Sequence, residues 1–486
     1  MVLEMKRCLA VMVQSFALLS TAGAAGHLVS AARAAEPPGQ AKVLDADTIR
    51  MVLHAAPEPR PSLRYQLLPG LLERRGGNAA IHYLKAQQLY AANVFDSFNR
   101  TAGQWLDLPM AKLPREELSK QIARWSEVYE ELDAAARSEQ CDWQLRLERG
   151  PSLLLPEVQG MRDGARLIAL KIRHDVGAGK FEDAVRTLQT GFAMARDVAQ
   201  GRTLVNALVG LSIQKMMSRE LQILIEHPQS PNLYWALTTL PPSLIDLNRG
   251  AHAEMGFLHL AYPVLRDPEH AQHSPEEWRA QTIRMTRELT IYGDAQVMQE
   301  ARVFVGALKN YSAAKQRLIA EGRSPERVAA MPVLQVVLTD AVRRYEEVRD
   351  DAIRWSYVPY WQAGAGFDRA GKALAAAENN DPFGLLFAIG AMKGPAHALA
   401  RGQREIALLR TVEAIRLWMD AHGGRLPDRL EEITEVPLPR DPVSGRAFAY
   451  RREGDGAILE GHDSPDTTFY WKRRYELHPA PAASSR

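Results

Sequence analysis

The chain has 486 residues, 46% hydrophobic and 24% charged, a globular balance that excludes a disordered polymer. That length suits about two to four domains or one long helical array. Lys and Arg number 60 against 58 Asp and Glu; loss of a leader through Ala34, with Lys6, Arg7, Arg33 and Glu4, leaves the rest neutral. A neutral chain gives no electrostatic footing for nucleic acid, and no nucleic-acid partner is expected.

Residues 1–34 have the layout of an export signal. Lys6 and Arg7 precede an apolar run from Cys8 to Leu19, and Ala32–Ala34 fits a small-x-small cleavage site, with Ala22–Ala24 as an earlier alternative. The localisation expected is the periplasm or cell envelope. An uncleaved anchor over Cys8–Ala32 is the second reading, and the only membrane contact expected. Without the leader Cys141 is the sole cysteine, so no internal disulfide forms, and it reads as a small buried hydrophobe.

Residues 35–77, rich in Pro and Ala at their start, read as a linker and a poorly defined segment. A helical domain follows over 78–380. NAAIHYLKAQQLYAANVFDSF predicts a helix with Ile81, Leu84, Gln88 and Ala92 on one face and Tyr90, Val94 and Phe98 on another. LPREELSKQIARWSEVYEELDAAARSE predicts one second helix with Pro114 in its first turn.

The core of this domain is expected at 161–247. Met161, Ala165, Ile168, Ile172 and Val176 form a helical stripe, with Arg162, Arg166 and Arg173 mostly off it. Gly177 to Gly179 ends that helix. A second helix carries Phe181, Ala184, Leu188, Phe192, Ala195 and Ala199. The turn Gly179–Val185 resembles that of a tetratricopeptide repeat, seen here once, whereas an array needs about three copies. Thr203 caps a third helix with little polar face, and residues 232–237 form a short aromatic one.

Ser274 to Glu277 is a capping box, and Ser324 repeats the entry signal. A long helix is predicted from Val333 to near Pro359, and GAGFDRAGKALAAAENNDP reads as a looser, small-residue segment. The last module spans 381–478. A helix carrying Ile406, Leu409, Val412, Ile415 and Met419 is stopped by Gly423 and Gly424. A turn at Asp441–Gly445 and a β-hairpin around Gly454–Gly456 follow. Residues 479–486 read as a disordered tail. The fold class is mainly α, an irregular helical bundle or hairpin array, with a small C-terminal α+β module.

The stretch ALLRTVEAIRLWMDAHGGRLPDRLEEI, then PLPRDPVSGRAFAYRREGDGAIL, resembles a C-terminal module of uncharacterised exported helical proteins from planctomycete-type bacteria. Its order is also similar to the globular part of type II secretion pseudopilins, although here a long helical region, not a membrane-spanning helix, precedes it. The central RHDVGAGKFEDAVRTLQTGFAMAR and NLYWALTTLP resemble the same exported proteins. The resemblance implies an exported protein of no assigned activity. Some pseudopilins bind calcium; Asp463 and Asp466 lie in a comparable place, but two carboxylates are few for such a site, and a solvated loop is the expected reading.

No phosphate-binding, dinucleotide or metalloprotease motif occurs. His270 and His273 with Glu276 and Glu277 have zinc-like spacing in a polar loop, where a surface reading is favoured. His174 and Asp175 end a helix, where a capping role is expected. Neither metal nor cofactor is expected. The binding candidates are Tyr234, Trp235, Asp246, Arg249, His252 and Glu254, an aromatic segment followed by polar side chains on successive turns. The expected function is an exported helical scaffold or interaction protein whose partner is an envelope protein. Two alternatives stand beside it: a hydrolase on a helical fold with an acid/base site near His174, Asp246, His252 and Glu254, and a secretion-system accessory acting through the C-terminal module.

Overall fold

A computed structural model describes residues 47–480 except 94–96, 154, 290–295, 379–380, 390–391 and 463–472. The proposed leader, the loop with Asp463 and Asp466, Val94 and the tail 481–486 lie outside the described residues. Among the described residues, sixteen α-helices and two small sheets make a mainly α protein with a C-terminal α+β module, the expected class. Among the described residues no helix is long and apolar enough to cross a membrane.

The segment expected to be ill-defined opens with a strand, β1 (Asp47–Leu53). Its burial alternates, with Met51 and Leu53 fully buried and Val52 45% exposed, the period-2 pattern of a strand with one packed face. A strand forms here, where a poorly defined segment is expected, because β1 pairs with residues 473–479, which local sequence cannot show. A short strand, β2 (Arg75–Asn78), precedes α1 (Ala79–Asn93).

α1 covers only the first part of the helix predicted over 78–98, ending at Asn93 while Phe98 belongs to the next helix, and it buries the side of Tyr90 rather than that of Ile81. Tyr83, Ala86 and Tyr90 are buried, while Ile81 and Leu84 are 64% and 38% exposed and Gln88 is exposed too. Ala79, Ala80 and Ala86 are buried on the same side, small enough to let neighbouring helices approach, and the Tyr83 hydroxyl donates to Asp197 at 3.1 Å. Periodicity marks two stripes on this helix, and only the packing decides which turns inward.

α2 (Ser97–Asp107) follows. The second predicted helix is two, α3 (Arg115–Arg124) and α4 (Ser126–Ala136). The backbone leaves helical geometry at Trp125 (φ −99°, ψ 19°) as its side chain is buried. Pro114 sits at the cap, its carbonyl accepting from Leu118 N–H at 2.9 Å. β3 (Ser138–Gln140) then pairs with β2.

The centre is a three-helix stack: α5 (Pro156–Gly177), α6 (Phe181–Ala199) and α7 (Leu204–Ile225). Met161, Ala165, Ile168, Ile172 and Val176 are all buried, as are Ala184, Leu188, Phe192, Ala195 and Ala199. Gly179 takes the left-handed turn between the first two helices (φ 71°). The Thr203 hydroxyl caps α7 by accepting from Asn206 N–H at 3.1 Å. Gly210 sets the spacing of the last pair, since a Cβ there would lie 2.6 Å from the Ala195 carbonyl oxygen. Arg173, expected mostly off the stripe, is buried because Glu220 of α7 meets it there.

The chain continues through α8 (Tyr234–Thr238), α9 (Leu247–Met255), α10 (Phe257–Ala261) and α11 (Pro275–Leu289). Ser274 and Glu277 form the reciprocal capping box, at 2.7 and 3.2 Å. α12 (Gln296–Ala320) and the short α13 (Pro325–Ala330), capped by Ser324, precede α14 (Val333–Ile353). α14 stops earlier than predicted, in a 3-10 turn over Arg354–Tyr357. The segment expected to be loose is α15 (Tyr360–Glu378). Tyr360, Ala363, Phe367 and Ala370 are buried at helical spacing. Gly366 is small because the Trp355 ring lies against it, where a Cβ would come within 2.1 Å.

α16 (Lys393–Ala421) packs on α7, α8 and α15, is buried throughout Ala407–Met419 except at Arg410, and is tied to the C-terminal module by Arg404–Asp441 and Glu405–Arg473. β4 (Ala449–Glu453) and β5 (Gly456–Glu460) form the predicted hairpin, with Gly454 at φ 57°. β6 (Arg473–Pro479) adds antiparallel to β5, and β1 adds parallel to β6, with Met51 opposite Leu477. Pro479 thus belongs to the sheet, and Ala480 N–H donates to the Leu53 carbonyl at 2.9 Å, so ordered chain runs past the expected start of the tail.

Candidate functional site

The six binding candidates do different work. Tyr234 is buried, its hydroxyl donating to the Pro437 carbonyl, with the Arg410 guanidinium 5.6 Å from its ring centroid. Trp235 packs edge-on against it at 5.1 Å and donates from Nε1 to Glu58 at 2.7 Å. This pair clamps α8 between the N-terminal segment and the C-terminal module. Asp246 caps α9, its Oδ1 accepting from Asn248 and Arg249 N–H at 3.0 and 3.3 Å. Arg249 projects outward as an exposed side chain.

Glu254 turns inward, its Oε1 accepting from Leu204 N–H at 2.7 Å at the start of α7, beside the Thr203 cap. Burial raises its pKa to about 7, outweighing the hydrogen bonds from the Leu204 and Val205 amides. It therefore joins two helices. His252 turns outward, its Nε2 against the Tyr357 hydroxyl and its ring centroid 5.6 Å from that ring.

His252 leads to a surface that the sequence reading did not single out. Tyr357, Val358 and Trp361 are 59%, 38% and 45% exposed. Tyr357 closes the 3-10 turn and Trp361 lies in the first turn of α15, with the Pro359 carbonyl between them accepting from Gln362 and Ala363 N–H, so hydrogen-bonded backbone holds these side chains on both sides. The Asn248 amide donates to the Ser356 carbonyl at 3.4 Å, which fixes the turn to α9. Trp361 stands over the turn of the C-terminal module: a Cβ on Gly445 would lie 2.7 Å from the indole, and Gly445 has φ 70°. One face thus joins α9, the end of α14, the start of α15 and the C-terminal module.

Arginines lie beside this face. Arg354 and Arg369 each place a guanidinium 5.2 Å from the Trp355 ring centroid. Arg354 also pairs with Asp351. Arg249 lies one helical turn from His252, and Arg446 follows the glycine beneath Trp361; both are exposed, as is Arg369. None of Arg249, Arg369 and Arg446 has a carboxylate partner among the described residues. The only signal in sequence was a cluster of aromatics around Pro359, which otherwise reads as the end of a buried helix.

Elsewhere charge is used to tie elements together. Arg173 meets Glu220 at 2.7 and 3.0 Å and donates to the Trp105 and Leu108 carbonyls. Arg404 meets Asp441 at 2.8 and 2.7 Å, both fully buried. Arg416 meets Glu413 at 2.8 Å and reaches the carbonyls of His54 and Ser230 at 2.9 and 3.0 Å. A buried charge is tolerated only with such partners.

His174 lies 3.2 Å from Asp175, whose other oxygen accepts from Lys171 at 2.7 Å, so this pair is part of a local ion network at the helix end. Cys141 is buried and its thiol is pushed well above the ordinary range by desolvation, which keeps it protonated. His270 bonds Asp267 at 2.8 Å, whereas His273 packs its ring edge-on to Trp278 at 5.3 Å. Among the described residues no three His, Cys, Asp or Glu side chains gather as metal ligands would.

No protein-family model matches the chain, and no curated protein or solved structure is similar to it. The functional reading therefore rests on the residues themselves.

Proposed function

We propose that the protein is an exported helical scaffold of the bacterial cell envelope that docks an acidic partner protein on the face around Tyr357, Val358 and Trp361. The observation that carries this reading is the exposure of these three side chains on rigid backbone, beside the arginines at 249, 369 and 446 that lack carboxylate partners among the described residues. Interface centres favour aromatic side chains, which supply area at low entropic cost, and arginine, whose planar guanidinium supplies directional contacts. Salt bridges at the rim would steer the acidic partner more than they hold it. The basic-then-apolar start of the chain supports export.

The test places a photo-crosslinking side chain at position 361 and, as control, at exposed position 120 of α3 in full-length protein expressed in the source cells. A discrete adduct with one acidic protein of the envelope fraction is expected at 361 only, weakened by raised salt and by the pair R249E and R446E. Recovery of the protein in the cytoplasm, or equal adducts from 361 and 120, overturns the reading.

A further inference from the structure

A cleft of about 510 Å³ opens between α11 and the turn that follows α10, and it shares no lining residue with the aromatic face. Its lining includes Tyr262, Arg266, Asp267, His273, Gln281 and Arg284. The two arginines are fixed through one nitrogen each. Arg266 Nε donates to the His259 carbonyl at 2.9 Å, and Arg284 Nε donates to Glu288 at 3.1 Å. The terminal guanidinium nitrogens of both have no partner among the described residues. Gln281, half-buried, likewise has no side-chain hydrogen bond among them.

The one acid on the lining is already engaged: Asp267 accepts from the His270 ring at 2.8 and 3.1 Å. Of the nearby carboxylates off the lining, Glu288 takes the Tyr262 hydroxyl at 2.7 Å as well as Arg284, and Glu277 takes the Ser274 N–H at 2.7 Å and lies 3.7 Å from His273. The Arg284 guanidinium lies 5.7 Å from the Tyr262 ring centroid, so it is held over an aromatic face. The cleft thus carries an excess of fixed, uncommitted donors beside an apolar wall. Planar guanidinium forks match carboxylate and phosphate oxygens in geometry as well as charge.

We propose that this cleft binds a small organic oxyanion, a carboxylate or phosphate monoester, with its charged group between Arg266 and Arg284 and its apolar body against Pro263, Val264 and Ala271. Gln281 supplies a further donor, and His273 forms part of the lining.

The test measures binding of benzoate, phenyl phosphate, inorganic phosphate and benzyl alcohol to the full chain by calorimetry and by saturation-transfer NMR. Benzoate or phenyl phosphate is expected to bind at least tenfold more tightly than either inorganic phosphate or benzyl alcohol. R266Q and R284Q, confirmed folded by their melting curves, are each expected to weaken it at least tenfold. R287Q, on the same helix but paired with Glu300 at 2.7 Å, is expected to leave it unchanged. The proposal is overturned if neither organic anion outbinds both reference compounds, or if R266Q and R284Q bind as the unaltered chain does.

Discussion

Glu254 shows how one carboxyl can join two helices and carry a pH dependence with it. The folded chain holds its proton up to about pH 7, against an ordinary value of 4.5. Below about 4.5 both folded and unfolded chains are protonated, and its contribution is fully present. Between 4.5 and 7 the folded state binds more protons, so stability falls as pH rises; above about 7 no further change comes from this group. Glutamine mimics the protonated acid. The melting temperature of the unaltered chain is therefore expected to match that of E254Q below pH 4.5 and to fall progressively below it by pH 7. A difference that stays constant across this range would show that the carboxyl is not desolvated as the structure places it.

At the scale of elements, buried ion pairs hold the joints that periodicity cannot specify. Arg404 on α16 and Asp441 in the module turn are an example, with both side chains buried and bonded twice. Removing one partner leaves a buried charge alone, which typically costs about 3–5 kcal/mol. D441A is expected to lose stability of that order in denaturant titrations. R404M with D441L, which removes both charges, is expected to lose much less than the sum of the two single changes. Additive losses would mean that the two side chains do not act as a pair.

These joints also show why some elements were legible and others were not. The stripe Met161 to Val176, the glycine turn at Gly179 and the Thr203 cap depend on neighbours within a few residues, and all stand as read. Arg173 was misplaced because its partner, Glu220, belongs to another helix. The small residues of α15 suggested looseness, yet Gly366 is small because Trp355 lies on it. Among the site candidates, the aromatic pair Tyr234 and Trp235 was found from its segment, but its role as a clamp depends on Pro437 and Glu58. Tyr357 and Trp361 were missed because exposure is a property of what does not cover a residue.

Over the whole molecule, the two ends of the described chain close on each other. β1 pairs with β6, and the Arg416 guanidinium reaches back to the His54 carbonyl at 2.9 Å. Deleting residues 47–53 would uncover the edge of β6 and remove the buried side chains of Met51 and Leu53. The expected outcome is a lower melting temperature, with amide exchange accelerated first in β5, β6 and α16 rather than in the central stack. Uniform acceleration throughout would place the closure within one cooperative unit. The mainly α class, the central hairpin, the caps and the C-terminal β-hairpin are written in the spacing of neighbouring residues. Which face of α1 is buried, where β1 pairs, which charges are tied inside, and which aromatics and arginines remain outside are settled by packing alone. Those depend on contacts between segments up to the full length of the described chain apart, for which local pattern carries no information.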